Sequence, residues 1–210
     1  MIRILLVDDH TIFRDGLKRL LREEDDIDVS AEASDSTEAL GKLRADAFDL
    51  VLLDINMKGR SGLDLLPSIR GEWPSLPVIV LSMYPADQYA LRAFEAGASG
   101  YIAKDMDSTQ LIVSIRKVAT GGRYFPPEVA DTIIGQLGGQ FHENPHQQLS
   151  SREFEIMLLI VKGSRLVDIG KQLFLSVKTI STYRSRILKK LHLGGNAELV
   201  QYALRHHLID

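Results

Sequence analysis

Short, continuous apolar runs alternate with amphipathic stretches over the first 120 residues. The runs cover 2–7, 29–33, 50–53, 78–81 and 101–103, and three of them are rich in Val and Ile. Unbroken apolar runs of this length suit parallel strands covered on both faces. Between them Phe13, Leu17, Leu20 and Leu21 recur at helical spacing, as do Leu111, Ile115 and Val118. Five strand–helix units in succession predict an α/β fold, a doubly wound five-stranded parallel sheet with right-handed crossovers.

The pattern changes after residue 120. Gly121-Gly122 ends a helix, and Pro126-Pro127 opens a short one expected to run to about residue 137. The polar stretch GGQFHENPHQQ then reads as a linker. From Ser150 the chain reads as a small all-α unit of four helices. Ser150 followed by Glu153 is a capping-box signature, and Phe154, Met157, Leu158 and Val161 form the apolar face behind it. Gly163 stops that helix. Leu166, Ile169 and Leu173 mark a short second one. Ser176 caps a third from 177 to about 191, which Gly194-Gly195 breaks, and a fourth spans 197 to about 205. The expected boundaries are 1–120, a linker with a short helix over 121–147, and 148–210.

The third helix of the tail is two-faced. With Ser181 at zero and about 100° per residue, Val177, Ile180, Ile187, Leu188 and Leu191 fall between about 240° and 340°. Lys178, Thr182, Ser185 and Lys189 share the sector from about 0° to 100° with Ser181, and no acid occurs from Val177 to Leu193. Arg186 and Lys190 flank that face. Arg184 lands among the apolar residues and is expected to snorkel toward the rim. A short helix, a tight turn and a basic second helix make a helix-turn-helix, whose second helix fits the major groove of double-stranded DNA.

Charge supports the division. The 210 residues carry a net charge of −3, but residues 1–145 hold 15 Lys+Arg against 23 Asp+Glu, a net of −8, and residues 146–210 hold 10 against 5, a net of +5. An acidic unit joined to a basic one suggests different partners. There is no Cys, which excludes disulfides and thiolate chemistry, and no apolar run approaches the roughly 18 residues of a membrane span. Asp8 and Asp9 interrupt the first run too early for a secretory signal. These features together point to the cytoplasm and to no membrane partner.

The candidate chemistry lies at strand ends. In an open parallel sheet, ligands sit beyond the carboxyl ends of the strands. Asp8 and Asp9 close the first strand, Asp54 the third, Ser82 the fourth and Lys104 the fifth. The first and third strands are expected to be neighbours, so three carboxylates converge beside one Lys and one hydroxyl. Such a cluster repels itself unless a cation intervenes, and hard oxygen donors suit Mg²⁺. Lys104 and Ser82 would take two oxygens of a phosphoryl group that Asp54 attacks in line. His10 is expected to cap the first helix. His192, His206 and His207 are expected to be solvated or at a dimer edge rather than metal ligands.

With these residues in order, IRILLVDDH, LVLLDINM, VIVLS and GASGYIAKD resemble the receiver domain of two-component response regulators over roughly residues 1–120. The resemblance implies a flavodoxin-like receiver in which Asp54 accepts a phosphoryl group from the phosphohistidine of a sensor histidine kinase or phosphotransfer protein. It implies Mg²⁺ held by the side chains of Asp9 and Asp54 and the backbone carbonyl of Asn56, with Asp8 acting through water. It makes Ser82 and Tyr101 a switch pair, in which Tyr101 turns inward when Ser82 moves toward the phosphoryl group. Lys58 and Asp105 stand where many receivers have Pro. No cis bond is therefore carried over at Lys104-Asp105.

The tail has its own resemblance. LSSREFEIMLLIVKG, DIGKQLFLSVKTISTYRSRILKKL and AELVQYAL are similar to the LuxR-type DNA-binding domain over about residues 148–210. The two together resemble the NarL/FixJ class of response regulators. The resemblance implies base readout near Ser181, Thr182 and Ser185, and phosphate contacts by Lys178, Thr179, Arg184, Arg186 and Lys189. Gly170 stands where Ala is usual, at a cost of up to about 1 kcal/mol to its helix. The implied function is a transcription regulator, not an enzyme, that dimerises and binds DNA when Asp54 is phosphorylated. Leu199, Val200 and Ala203 are candidates for a dimer face or for core. The alternative is a DNA-binding regulator that ignores phosphorylation and uses its receiver only to dimerise.

Overall fold

A computed structural model describes residues 1–57, 61–84, 86–127, 129–130 and 145–209. Lys58, most of the predicted helix running to about residue 137, and most of the predicted linker lie outside these residues. The chain divides into two compact units, 1–141 and 142–210.

The first unit alternates β1 (Ile2–Val7), α1 (Thr11–Leu21), β2 (Ile27–Ala33), α2 (Ser36–Ala45), β3 (Leu50–Asp54), α3 (Gly62–Glu72), β4 (Val78–Ser82), α4 (Ala86–Glu95), β5 (Gly100–Ala103) and α5 (Ser108–Ala119). The strands form one parallel sheet in the order β2-β1-β3-β4-β5. All residues of β3 and β4 are buried, which is why their sequences lack alternation. Ile4, Leu6, Leu50, Leu52, Ile79, Leu81 and Ile102 form one core cluster with Leu17 and Leu21 of α1 and Leu111, Ile115 and Val118 of α5. The residues between them in each strand point to the opposite face, because side chains alternate along a strand.

The order decides where the site sits. β1 lies between β2 and β3, so the chain reverses its winding there, and the carboxyl ends of β1 and β3 stand side by side. β2 is two residues longer than its apolar run, starting at Ile27, and its register with β1 slips between Ile4 and Leu5. The Lys104-Asp105 peptide is trans. The segment after α5 does not leave the sheet at once. Tyr124 donates its N–H to Ser99 O at 3.1 Å and accepts from Tyr101 N at 2.8 Å, which extends the sheet beyond β5.

The second unit holds a 3₁₀ turn (Pro145–Gln148) and four helices: α6 (Ser151–Val161), α7 (Leu166–Gln172), α8 (Val177–Lys190) and α9 (Asn196–Arg205). Ser150 and Glu153 complete the capping box. Phe154, Ile156, Met157, Ile169, Ile180, Ile187, Leu199 and Ala203 are buried and make the core. Leu199 and Ala203 are thus core residues, and Val200 is half-buried. The end of α8 differs from expectation. The helix stops at Lys190, and His192 takes the left-handed conformation with φ 56°, so Gly194-Gly195 is not the break.

Gly170 has a packing reason. A Cβ there would lie 2.8 Å from Leu175 O, and Leu175 N donates to Gly170 O at 2.8 Å. The turn between α7 and α8 closes on the bare backbone of Gly170. Ala would therefore clash rather than recover the cost expected from helix propensity. Buried Arg152 fastens the same turn to α6. It donates Nη2 to Leu173 O at 2.9 Å and pairs through Nη1 with Glu155 at 2.6 Å.

Candidate functional site

Asp54 ends β3 and is fully buried, as are Asp8 after β1 and Ser82 at the end of β4. Lys104, one residue past β5, bridges the two carboxylates. Its Nζ lies 2.6 Å from Asp8 Oδ2 and 2.9 Å from Asp54 Oδ2, with only 4% of its side chain exposed. The ammonium also stands 4.4 Å from the centre of the Phe13 ring. Asn56 N donates to Asp54 Oδ1 at 3.1 Å, which holds the turn after β3. Asp8 Oδ1 accepts the His10 N–H at 2.7 Å.

Burial is the largest influence on Asp54, and with the neighbouring Asp8 charge it holds the carboxyl above the usual aspartate range. Lys104 and the Asn56 N–H oppose this but do not cancel it. Lys104 thus faces Asp8 and Asp54, while Asp9 meets the ring of His10.

His10 occupies the N-cap position of α1, but its side chain makes no cap hydrogen bond. Its ring turns into the cluster, with Nδ1 3.0 Å from Asp9 Oδ1, 3.2 Å from Asp8 Oδ1 and 3.7 Å from Asp54 Oδ2. The expectation of a capping role therefore fails: three carboxylates draw the imidazole more strongly than one helix terminus does. A residue directly after an acid pair at a strand end was the signal available in the sequence.

The cluster fits a divalent cation. Asp8, Asp9, His10 and Asp54 each offer a ligand atom, all within 4.8 Å of one another. Asp54 Oδ2 is buried and accepts no aligned hydrogen bond, and Asn56 Oδ1 is likewise buried without one. The Lys104 ammonium that meets Asp54 Oδ2 is shared with Asp8, and a divalent cation would add charge that this single ammonium does not supply.

Ser82 and Tyr101 meet on one residue. Ser82 Oγ accepts the Tyr84 N–H at 2.9 Å, and the Tyr101 hydroxyl donates to Tyr84 O at 2.8 Å. Tyr101 is wholly buried. Tyr84 in turn stacks on Tyr89 of α4 at 4.6 Å. The coupling through Tyr84 was not legible in the sequence, because it runs through a backbone amide.

In the second unit, Lys178, Ser181, Thr182, Ser185, Arg186 and Lys189 lie exposed along α8, and Thr179 is half-exposed. The hydroxyls of Thr182 and Ser185 donate to the carbonyls of Lys178 and Ser181, at 3.0 and 3.1 Å. Thr179 bonds the Ser176 cap. Two basic residues are engaged within the unit. Arg184 Nε donates to Asn196 Oδ1 at 2.7 Å, which braces α9, and Lys190 pairs with Glu153 at 2.6 Å. His192 and His207 are exposed. His206 packs against Tyr202 at 4.2 Å, and buried His146 holds the Tyr202 hydroxyl at 3.0 Å from Nδ1.

Comparison with known proteins agrees with this division. The response regulator receiver domain matches residues 4–116, and the luxR family of bacterial regulatory proteins matches residues 147–203. This chain is a response regulator of the NarL/FixJ class. The regulator is 36% identical over 211 residues to response regulator UvrY of Escherichia coli K12, covering 100% of this chain and 97% of that one. It is 34% identical to GacA of Pseudomonas aeruginosa, covering 100% and 99%. Among solved structures, a LuxR-family response regulator from Aurantimonas sp. SI85-9A1 is 35% identical with a TM-score of 0.60, covering 66% of this chain and 99% of that one. RcsB of Salmonella typhimurium is 25% identical with a TM-score of 0.58, covering 96% and 97%. The family consists of DNA-binding regulators and is not a catalytic enzyme family. No helix among the described residues is long and apolar enough to cross a membrane.

Proposed function

We propose that this regulator is a cytoplasmic transcription factor switched by phosphorylation of Asp54, with a receiver over 1–120 and a DNA-binding domain over 148–210. The observation that carries the reading is the convergence of Asp54, Asp8, Asp9, Ser82 and Lys104 at the carboxyl edge of one sheet. An Asp54 oxygen attacks the phosphorus of a kinase phosphohistidine in line. The P–N bond breaks, its electron pair stays on the imidazole nitrogen, and that nitrogen is left to take up a proton. Lys104 gives up part of its pairing with Asp54 and meets a phosphoryl oxygen, and Ser82 donates to another. Mg²⁺ held by Asp9, Asp54 and the Asn56 carbonyl, with Asp8 acting through water, would neutralise charge on the transferring group.

The readout follows from Tyr84. When Ser82 Oγ turns to the phosphoryl group it releases the Tyr84 N–H, and the Tyr101 bond to Tyr84 O changes with it. That alters the surface of α4, β5 and α5 and favours a homodimer, whose two α8 helices read two half-sites in double-stranded DNA. Salmonella RcsB, 25% identical, is known bound to a promoter in the presence of the phosphomimetic BeF3−. This supports a DNA-bound state of the activated receiver here.

A second reading is a phosphate-independent regulator whose receiver only dimerises. The buried, hydrogen-bonded Tyr101 favours it, since that inward position does not wait on Ser82. One experiment separates the two. The protein is incubated with acetyl phosphate and Mg²⁺, and both mass and binding to a labelled pool of random duplex DNA are followed. A phosphoryl adduct absent in Asp54→Asn, with tighter specific DNA binding, is the expected result. DNA binding indifferent to both donor and substitution selects the second reading.

A further inference from the structure

A cavity of about 490 Å³ opens at the amino-terminal ends of β4 and β5, the opposite edge of the sheet from Asp54. Its walls include Arg70 of α3, Phe94 of α4, Ser75 and Ser99 from the loops before β4 and β5, and Gly122 and Arg123 after α5. Among the described residues, no Asp or Glu lines it.

Arg70 is fixed. It donates Nε to Gly97 O at 2.7 Å, Nη1 to Leu76 O at 2.6 Å and to Pro74 O at 3.1 Å, and Nη2 to Ser99 Oγ at 3.3 Å. Every one of these acceptors is neutral, so the guanidinium is held in place without its charge being cancelled. Arg123 rests over Phe94, with Cζ 5.2 Å from the ring centre. Burial first, and the Arg123 charge second, lower the Arg70 pKa from its ordinary value. Two like charges thus converge on a concave wall where water is partly excluded, and an anion between them would relieve the repulsion. The guanidinium fork of Arg123 matches the tetrahedral oxygens of phosphate, Arg70 adds its charge and its one remaining Nη2–H, and serine hydroxyls can complete the shell.

We propose that this cavity binds a small phosphate-bearing anion between Arg70 and Arg123. The site is independent of phosphorylation at Asp54. Arg123 directly precedes Tyr124, whose backbone pairs with Ser99 and Tyr101. A bound phosphate would therefore fasten the segment after α5 to the strand that carries Tyr101.

The test uses the full chain without divalent metal, at an ionic strength fixed with sodium chloride. Inorganic phosphate and AMP are titrated by calorimetry, and backbone amide shifts are followed by NMR. The expected result is saturable binding with shifts at Gly121–Arg123, weakened about tenfold or more in Arg123→Gln and partly restored in Arg123→Lys. Tighter binding of AMP assigns the natural ligand to organic phosphates, with the base lying along Phe94. Equal binding assigns it to the phosphate group alone. Three results overturn the proposal: no saturation with either probe, Arg123→Gln binding like the parent, or shifts confined to the neighbourhood of Asp54. Circular dichroism of Arg123→Gln, an exposed position, guards against misreading an unfolded variant.

Discussion

Gly62 opens α3 beneath the strand that ends in Asp54, and adding one methyl group there tests how the acidic edge is held. A Cβ at Gly62 would stand 1.9 Å from Asp54 O, 2.9 Å from Asp54 C and 3.2 Å from Leu53 Cγ. Carbon and oxygen in contact prefer more than 3 Å, so the overlap exceeds about 1 Å. The two nearest atoms are backbone, and no rotamer change relieves them. Gly62 N also donates to Ile55 O at 2.9 Å, which ties the helix start to the end of the strand. Overpacking a core costs typically about 1–3 kcal/mol. A backbone-on-backbone clash belongs at or above the top of that range, so Gly62→Ala is expected to cost about 3 kcal/mol. In a unit of this size that lowers the melting temperature by roughly 10 °C. The relief must come from moving α3 or the end of β3, and the second path carries Asp54 away from Lys104. Two assays read the result, urea denaturation of the full chain and labelling with acetyl phosphate. A first transition shifted to lower urea, with slow labelling, is expected, while the helical unit's transition stays put. A variant within about 0.5 kcal/mol of the parent that labels at the parent rate would show that the close approach does not hold Asp54 in place.

Three further outcomes follow from the geometry. Asp54 is held above its ordinary range, so the folded chain keeps that proton more tightly than the unfolded chain, and ionisation subtracts stability as pH rises through the folded value. Asp54→Asn is therefore expected to melt higher than the parent at neutral pH without metal, with the gap closing below about pH 4; melting curves at the two pH values check it. Glu153 behaves oppositely: burial alone would raise it, but Lys190 and the Ser150 N–H hold its carboxyl below the usual range. Its contribution is present above the unfolded glutamate value and lost as pH falls below it, and removing the cap with Ser150→Ala should cost the helical unit about 1 kcal/mol in urea denaturation. Lys178→Ala and Arg186→Ala are expected to weaken all duplexes alike, while Ser185→Ala changes the preferred site, as measured by selection from a random pool; unchanged preference in Ser185→Ala contradicts the split.

The sheet was legible because β3 and β4 are buried on both faces, which leaves no alternation to confuse with a helix. The start of β2 was not, since Asp28 sits exposed on an edge strand and interrupts the apolar run. The acidic edge could be read from strand-end residues alone, because the position of a strand's last residue follows from topology. Side-chain direction does not follow from topology. His10 turns toward carboxylates contributed by another strand as well as its own, and Arg184 finds Asn196 twelve residues on. Gly170 looked like a weak helix residue because helix propensity weighs the helix alone, whereas its neighbour is a carbonyl from the following turn.

On the proposed DNA-reading role of α8, its short hydroxyls have a consequence for which bases they would accept. Thr182 and Ser185 already spend their hydrogens on carbonyls one turn back. What each oxygen offers outward is lone pairs, held at a fixed angle by the helix that receives the hydrogen. Such a surface is complementary to the amino groups of adenine and cytosine in the major groove, and reaching a guanine O6 or thymine O4 requires breaking the internal bond first. The helix thereby carries a bias between base edges in its own backbone bonding, before any duplex arrives.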